Sequence, residues 1–322
     1  MDGDLKISVV MCTYNGVRYL RPQLDSVLAQ TLRPCEIIVQ DDGSDDGTWA
    51  LLEEYAARCP MLRLYRNESG RHGINGNFFS AMARAQGDYI AVCDQDDIWE
   101  ADKLAVQARA IGTNWLCSAF SEPFSEDGYP VQVDRRIPNT HLLRNVYICE
   151  LPGHSMLFRR ELLDRMGGDA DSILWYDTQL ACAAAALEGI VFVPRVLVHF
   201  RRHAGAATAS VPVGGKDLRG AGGYLWYCVK HHGALQAQVR RRFRTVLPML
   251  EGWGMESPSM AAALEMSRLQ LGRGWPNFVR KVAFFVRHGR YLHHAEERRP
   301  VVRLVRALLF VFTCGYYYRK YI

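Results

Sequence analysis

The sequence lacks the patterns that would mark several common classes of protein. Its nine cysteines are scattered, odd in number and without a CxxC pair, which argues against a disulfide framework and a zinc site and favours reduced thiols in the cytoplasm. No basic segment followed by an apolar core precedes the first strand, so we expect no secretory signal. Neither a G-x-G-x-x-G fingerprint nor a G-x-x-x-x-G-K-[ST] loop occurs, so neither a dinucleotide-binding fold nor a P-loop is supported.

The two parts of the chain carry opposite charge. Residues 1–200 contain 18 Lys and Arg against 28 Asp and Glu, whereas residues 201–322 contain 21 against 6. The basic part predicts an anionic partner or surface. No aromatic-basic RNA motif or helix-turn-helix pattern accompanies it, so we do not expect a nucleic acid.

Apolar runs alternate with helical spacings in the acidic part. The predicted strands are Lys6–Met11, Glu36–Gln40, Leu62–Tyr65, Tyr89–Cys93, Trp115–Phe120, Ile190–Val193 and Val196–His203, and the predicted helices are Val17–Gln30, Trp49–Arg58, Phe78–Ala85 and an Ala-rich helix that ends at Leu187. Strands that alternate with helices in this way indicate an α/β fold of βαβ units on a mostly parallel sheet flanked by helices.

Three carboxylates, Asp94, Asp96 and Asp97, follow the apolar run Tyr89–Cys93. Burying this much like charge without a partner would be costly, so these groups must face water, neutralise one another by protonation or hold a cation. Carboxylate oxygens on one short turn suit Mg2+ or Mn2+. A solvated acidic turn that caps a helix beginning near Trp99 is the alternative.

Two further polar segments follow strand ends and should share the same edge of the sheet. Thr13-Tyr14-Asn15 follows the first strand, and Asp41-Asp42 follows the second. An aspartate there can accept a hydrogen bond from a base or a ribose hydroxyl, and Tyr14 can stack on a ring. An N-cap at Asn15 and a glycine-rich turn after Asp42 are the structural alternatives.

The three segments Ser8–Gly16, Gln40–Ser44 and Cys93–Trp99 together resemble family 2 glycosyltransferases of the GT-A fold, over roughly residues 5–210. The Asp-Gln-Asp-Asp-Ile-Trp form is similar to a bacterial subgroup that builds surface polysaccharides and includes rhamnosyltransferases. The resemblance implies nucleotide contacts from Thr13, Tyr14, Asn15, Asp42 and Asn77. It also implies that Asp94 and Asp96, the DxD pair, serve ribose and metal, with Asp97 as an alternative metal ligand.

The same resemblance extends to the acceptor side. His154 lies in a Gly-His-Ser-Met-Leu-Phe segment that lines the acceptor cleft in similar enzymes, where a structural histidine is the alternative. Asp177, after Trp175, stands where the family places its catalytic base, although Thr178-Gln179 replaces the usual Trp-Trp. A helix N-cap is the alternative role for Asp177.

A basic segment closes the predicted catalytic region at Arg201-Arg202-His203. By resemblance, His203 is a candidate third metal ligand and Arg201 or Arg202 a candidate donor to the diphosphate, since arginine binds phosphate in a bidentate manner. A basic surface turn is the alternative.

A helical extension, residues 211–322, is expected to follow the catalytic domain, residues 1–210. After a predicted loop, Gly205–Gly223, helical patterns cover Gln236–Leu250, Ser257–Leu271, Asn277–Arg287 and Val301–Phe312. The last apolar run is shorter than the roughly 20 residues that span a bilayer. Apolar stripes flanked by Arg, Lys and Tyr instead favour a helix lying on an anionic membrane, with packing on the catalytic domain or a homodimer interface as alternatives.

These inferences combine into one expected function. We expect an inverting, metal-dependent transferase that moves a hexose or deoxyhexose, with dTDP-rhamnose as one candidate donor, from a nucleoside diphosphate sugar to a hydroxyl of a growing, lipid-linked surface glycan. Such an enzyme would lie in the cytoplasm, on the inner face of the cell membrane. A sugar nucleotidylyltransferase and a non-catalytic, membrane-associated nucleotide-binding scaffold are the alternatives.

Overall fold

A computed structural model describes residues 5–167, 174–206, 220–294 and 297–321. Eight strands form one sheet in the order β3-β2-β1-β4-β7-β6-β8-β5. The strands are β1 (Ile7–Thr13), β2 (Glu36–Asp41), β3 (Leu62–Arg66), β4 (Tyr89–Cys93), β5 (Ile98–Trp99), β6 (Leu116–Phe124), β7 (Leu157–Arg159) and β8 (Ile190–Arg201).

Helices cover both faces of this sheet and make up the whole described part of the C-terminal region. They are α1 (Val17–Leu28), α2 (Thr48–Arg58), α3 (Gly73–Met82), α4 (Lys103–Ile111), α5 (Leu142–Asn145), α6 (Glu161–Met166), α7 (Tyr176–Ala186), α8 (Gly220–Lys230), α9 (His232–Gly252), α10 (Pro258–Leu271), α11 (Trp275–Leu292) and α12 (Pro300–Thr313). Two 3-10 turns, Gly153–Ser155 and Cys314–Tyr321, complete the structure.

The sheet is mostly parallel, as the sequence predicts, with short antiparallel pairings at β5 and β7. β1 pairs in parallel with β2 and β4, and β2 with β3, whereas the three-residue strand β7 lies antiparallel between β4 and β6. β6 and β8 are parallel, and β5 is antiparallel to β8. The parallel half brings the carboxyl ends of β1, β2 and β4 to one edge, as the sequence predicts.

Both faces of the parallel half are buried, which explains its nearly continuous apolar strands. Successive β1 residues alternate between two hydrophobic clusters, with Val9 and Met11 in one and Val10 and Cys12 in the other. The second cluster continues through α7 into α9, α10, α11 and α12. The C-terminal helices therefore pack against the sheet domain through a shared core, and the expected boundary at residue 210 lies outside the described residues.

Several local predictions are wrong. Ile98–Trp99 forms β5, paired with β8, where a helix start was one alternative. β6 continues past its predicted end at Phe120 to Phe124, and α8 occupies residues 220–223 of the predicted loop Gly205–Gly223. The helix expected at Phe78 begins at Gly73, whose backbone N–H donates to the Asp42 carboxylate at 2.7 Å. For β5, β6 and the start of α3, tertiary pairing supplies hydrogen bonds that the local sequence does not indicate.

The C-terminal end is tied to the sheet domain by polar contacts. The Arg144 guanidinium donates to the Leu292 carbonyl at 3.3 Å and to the Tyr317 hydroxyl at 2.9 Å. Among the described residues, the helical segment Pro300–Tyr318 is long and apolar enough to cross a membrane by length and composition alone, unlike the expectation that its run is too short. Of its most apolar window, 39% is buried in the protein, and core helices of soluble proteins meet the same length and composition criteria.

Candidate active site

The framework of the site is a hydrogen-bonded joint between the ends of β1 and β2. The Thr13 hydroxyl donates to Asp41 Oδ1 at 2.8 Å, and the backbone N–H groups of Gly43 and Ser44 donate to Asp41 Oδ2 at 3.1 and 2.9 Å. Both side chains are almost fully buried. In this structure the side chains of Thr13 and Asp41, both expected at the nucleotide site, are engaged with each other and with the turn after β2, and they shape the rim.

The side chain of Gln95, which the sequence did not single out, holds the backbone of Tyr14 at this rim. The Gln95 side chain accepts from the Tyr14 N–H at 2.9 Å and donates to the Tyr14 carbonyl at 3.1 Å. A Cβ on Gly16 would lie only 2.2 Å from Gln95 Oε1, so this clamp requires glycine there. Asn15 adopts a positive φ of 47°, and its Oδ1 accepts from the Asp45 N–H. The Tyr14 ring is exposed.

Asp42 is held at the same edge by three groups. Asn67 Nδ2 donates to its Oδ1 at 2.7 Å, His72 Nδ1 lies 2.7 Å from the same oxygen, and the Gly73 N–H binds Oδ2. Asn67 and His72 were not predicted, because no regular spacing links them to the motif. His72 is exposed, so a ligand could exchange for it and reach Asp42.

Asn77, expected to contact the nucleotide, lies under the rim in this structure. It is buried and forms a reciprocal pair with Gln40: Gln40 Nε2 donates to Asn77 Oδ1 at 3.0 Å, and Asn77 Nδ2 donates to the Gln40 carbonyl at 3.2 Å. Its amide joins α3 to β2 under the rim.

The three carboxylates after β4 occupy different environments. The Asp94 side chain is 37% exposed, whereas that of Asp97 is 3% exposed. His154 Nδ1 lies 3.3 Å from Asp94 Oδ2 and 3.2 Å from Asp97 Oδ2. Burial raises the pKa of Asp97 to about 8. Burial lowers the pKa of His154, but the charges of Asp97 and Asp94 outweigh it and hold that pKa above its ordinary value.

Asp96 faces the other side and pairs with His203. His203 Nε2 lies 2.9 Å from Asp96 Oδ2, and the His203 ring packs against Tyr19 with centroids 4.6 Å apart. Burial and the neighbouring Asp94 charge raise the pKa of Asp96. The sequence predicted Asp96 and His203 as members of one metal site, and the fold brings them into contact.

Arg201 supports the acidic turn from within. Its backbone N–H donates to Asp97 Oδ1 at 3.1 Å, its Nε donates to the Asp96 carbonyl at 2.9 Å, and its Nη1 lies 2.6 Å from Glu126 Oε1. The Arg201 side chain, expected to be a phosphate donor, is therefore buried and engaged with protein groups in this structure. Arg202 is also buried, with its guanidinium 5.5 Å from the Tyr129 ring centroid.

Lys103 is a buried cation beneath the acidic turn that sequence reasoning missed. Its Nζ lies 3.9 Å from the Trp99 ring centroid and donates to Gln107 Oε1 at 2.9 Å. Burial lowers its pKa to about 8, while the thiols of Cys93 and Cys117 and the Asp97 carboxylate oppose this shift. Nothing in a helical pattern distinguishes such a lysine from a solvent-exposed one.

Asp177 lies in the first turn of α7, on the side of the cleft that also carries His154. Asn75 anchors this turn, since its Oδ1 accepts from the Tyr176 N–H at 2.8 Å and its Nδ2 donates to the Leu174 carbonyl. Burial raises the pKa of Asp177 to about 6, against hydrogen bonds from the Thr178 N–H and hydroxyl that lower it. The neighbouring Trp175 is exposed at the same place.

The Tyr176 ring couples this turn to the 3-10 turn of His154. The ring stacks on Phe78 with centroids 4.1 Å apart, and a Cβ on Gly153 would lie 2.1 Å from the Tyr176 hydroxyl oxygen. Gly153 and Tyr176 therefore fix the spacing between the two turns.

We expect Gly153→Ala to destabilise the protein by roughly 1–3 kcal/mol, because neither the buried ring nor the backbone of Gly153 can move cheaply. Urea unfolding measures this loss. Adding Tyr176→Phe to Gly153→Ala should restore part of the lost stability, because it removes the hydroxyl oxygen that lies closest to the new Cβ. Gly233→Ala is the control, since no atom of the described residues lies within 4 Å of its added Cβ. An unchanged urea midpoint for Gly153→Ala would contradict the coupling.

The donor groups of the acidic turn fit a divalent cation. Ligand atoms of Asp94, Asp97 and His154 lie within 4.8 Å of one another. Asp96 Oδ2 and His203 Nε2 form a second pair of candidate ligand atoms on the same turn. His154 Nε2 is buried without a hydrogen-bond partner among the described residues, and buried Asp97 Oδ2 has the 3.2 Å ion-pair contact with His154 Nδ1 but no hydrogen bond. Carboxylate and imidazole ligands of this kind suit Mn2+, and the carboxylates also suit Mg2+.

The sheet, its flanking helices and this acidic turn define a GT-A fold, and comparisons with known proteins agree. Residues 8–167 match the family described as glycosyl transferase family 2. An uncharacterized glycosyltransferase of Nostoc sp. is 27% identical over 212 residues, which cover 62% of this chain and 65% of that protein. The chain spans only 59% to 65% of the length of the first relatives that it matches.

Solved structures share the fold at low sequence identity. The Staphylococcus aureus protein TarS, solved with UDP-GlcNAc, aligns with a TM-score of 0.53 and 17% identity over 98% of this chain and 92% of its own. A mannosyltransferase from Pyrobaculum calidifontis, solved with GDP-Man and Mn2+, aligns with a TM-score of 0.52 and 20% identity over 97% and 86%. Residues 8–167 of the chain therefore form a glycosyl transferase family 2 domain.

Proposed function

We propose that this protein is an inverting glycosyltransferase that moves a hexose or deoxyhexose from a nucleoside diphosphate sugar to a hydroxyl of a bacterial surface glycan. The observation that carries the proposal is the meeting of the acidic turn, Asp94–Asp97, with His154 and His203 at the ends of the parallel strands, beside Asp177. Family membership supports the transferase class. The preference for dTDP-rhamnose rests on the form of the acidic motif alone.

The nucleotide is proposed to bind across the rim. Tyr14 offers an exposed ring for stacking on the base, and Asp42 offers a carboxylate that a base imide or ribose hydroxyl can reach by replacing His72. Thr13, Asp41 and Asn77 hold that rim in shape through their buried hydrogen bonds. Asp94, the most exposed carboxylate of the acidic turn, is proposed to contact the ribose.

The acceptor is proposed to bind between Trp175 and His154. Asp177 accepts the proton of the attacking hydroxyl while that oxygen forms a bond to C1 and the bond from C1 to the diphosphate oxygen breaks. The electron pair leaves with the diphosphate. A single base and direct displacement invert the configuration at C1. With its pKa raised to about 6, the Asp177 carboxylate is ionised at neutral pH and still more basic than an ordinary aspartate.

A divalent cation is proposed to be held by Asp96 and His203 together with Asp94, and it would neutralise negative charge on the departing diphosphate. The side chains of Asp96 and His203 are partly exposed, so water and phosphate oxygens can complete the ligand set, as Mn2+ and Mg2+ require. Asp97 is enclosed and already accepts from the Arg201 N–H, so its proposed role is to orient His154.

The proposal is tested by incubating the purified chain with Mn2+ or Mg2+ and a panel of UDP-, GDP- and dTDP-sugars, with released diphosphate as the readout. We expect metal-dependent turnover of one donor, which a lipid extract containing glycan acceptors increases. The anomeric configuration of the product, read by NMR, should be inverted. If the protein instead formed a sugar nucleotide from a nucleoside triphosphate and a sugar phosphate, it would be a nucleotidylyltransferase and the proposal would be wrong.

A further inference from the structure

We propose that the outer face of α11 and α12 docks on an anionic lipid bilayer, with apolar side chains inserted between headgroups and arginines on the lipid phosphates. This face is defined by Trp275, Val279, Arg280, Arg287, Val301, Arg303 and Leu304. The proposal deepens the proposed function, because it states where an enzyme acting on a lipid-linked acceptor meets the membrane. Binding to lipid can nevertheless be measured without any transfer reaction.

An open apolar groove runs between the two helices. Trp275, Val279 and Leu304, which line it, are 73%, 49% and 47% exposed. Val301, one turn before Leu304, is 74% exposed. Side chains of this size normally lie inside a soluble protein, and a contiguous row of them on two adjacent helices marks an interaction surface.

The charge on these helices is of one sign. The sequences of α11 and α12 contain six cations and no Asp or Glu. Arg280 and Arg287, seven residues apart and therefore on one side of α11, are exposed next to the groove, and Arg287 lines it. Arg287 also borders a second, polar pocket together with Arg290, Arg303 and Arg306.

The only described carboxylate in that second pocket does not cancel this charge. Glu297 accepts from Arg299 at 2.9 Å and lies 3.9 Å from Arg306, so it already serves two guanidinium groups. Arg303 donates to the Val286 carbonyl, which holds it beside the groove at the junction of the two helices. Apolar side chains flanked by such cations are typical of helices that lie in the headgroup region of anionic membranes.

Charge also decides between a membrane and a second copy of the chain. In a two-fold dimer the same patch meets itself, so the arginines of one copy would face those of the other. Like charges brought together in an apolar contact are costly. An anionic bilayer instead supplies both an apolar interior for Trp275 and Val279 and negative charge for Arg280 and Arg287.

The two helices that carry this face are hydrogen-bonded to the segment that precedes the His154 turn. Leu292, at the end of α11, and Tyr317, just after α12, both accept hydrogen bonds from Arg144 of α5. Asn139 Nδ2 donates to the carbonyls of Tyr291 and His293. α5 is followed within ten residues by the 3-10 turn that carries His154.

The test is co-sedimentation of the full chain with vesicles of phosphatidylcholine, with or without phosphatidylglycerol. We expect binding only to the anionic vesicles, weakened at high salt. Val279→Asp and the double variant Arg280→Glu/Arg287→Glu should each bind at least about tenfold more weakly. The controls are Val131→Asp, at a residue that is 45% exposed, and Arg109→Glu, at an exposed residue of α4; both should bind like the wild type.

Donor hydrolysis in solution and the sedimentation coefficient are measured for the same variants. Unchanged hydrolysis with lost vesicle binding supports the docking face and shows that the variants are folded. Equal binding of the wild type and all variants, or binding to neutral vesicles alone, overturns the proposal. A wild-type dimer that Val279→Asp converts to a monomer overturns it in favour of a second copy. Vesicle binding by a chain that turns over no donor would leave the docking face standing and remove the proposed function.

Discussion

Replacing Asp177 by asparagine is expected to slow sugar transfer by roughly 100- to 10,000-fold, because the amide cannot accept the proton of the acceptor hydroxyl. The asparagine oxygen can still accept from the Thr178 N–H, so the first turn of α7 should keep its shape. Initial rates at saturating donor and acceptor measure the effect on kcat. The wild-type rate should also fall as pH is lowered through about 6, the pKa to which burial raises this carboxyl.

The same substitution should increase stability. Folding raises the Asp177 pKa from 3.8 to about 6, so the ionised carboxylate destabilises the native state above that pH. The penalty disappears as pH falls below about 4, where the group is protonated in both states. We therefore expect Asp177→Asn to raise the free energy of unfolding by about 1–3 kcal/mol near pH 8 and to leave it unchanged near pH 3.

Asp164→Asn provides the matched control, since Asp164 is an exposed carboxylate on α6 that lies 4.0 Å from Arg160. Neither its rate nor its pH-dependent stability should differ from the wild type. If Asp177→Asn kept more than a tenth of the wild-type rate, a different group would have to be the base. If it lost stability at both pH values, Asp177 would instead be a structural cap of α7.

The edge of the sheet where the site lies could be predicted because strand ends are visible in the sequence. The apolar runs that become β1, β2 and β4 each stop at polar residues, and parallel pairing brings those stops together. The sequence does not show in which direction each of these side chains points. Thr13 and Asp41 are partners in register and turn toward each other, whereas Tyr14 and Asp42, one residue later, reach the rim.

Long-range pairing explains the other predictions that failed. β7 has three residues, too few to give an alternating pattern, yet its antiparallel insertion between β4 and β6 sets the His154 turn beside the acidic turn. Arg201 looks like a phosphate-binding residue in sequence but is enclosed between the Tyr19 and Phe124 rings. Lys103 is equally hidden in a helical pattern. Such roles depend on which residues from distant segments surround a side chain.

Asp96→Asn is expected to weaken Mn2+ binding at least tenfold and to reduce metal-dependent donor turnover by roughly 100-fold. The amide keeps a contact with His203 but loses the charge that attracts the cation. Free Mn2+ measured by electron paramagnetic resonance gives the affinity, and diphosphate release gives the rate.

Mn2+ should support faster turnover than Mg2+, because imidazole suits the softer ion better than it suits Mg2+. Removing metal with a chelator should abolish turnover in the wild type.

His154→Gln tests which of two neighbouring sets of ligands holds the metal. One set is Asp96 with His203, and the other is Asp94 and Asp97 with His154. His154 lies between Asp94 and Asp97, and its raised pKa favours an imidazolium, which repels a cation and holds the carboxylates in place. We therefore expect His154→Gln to bind Mn2+ within about threefold of the wild type while the KM for the acceptor rises. The opposite pattern, with Mn2+ lost in His154→Gln and kept in Asp96→Asn, would move the metal centre to the buried set of Asp94, Asp97 and His154. Asp96 and His203 would then form a structural ion pair.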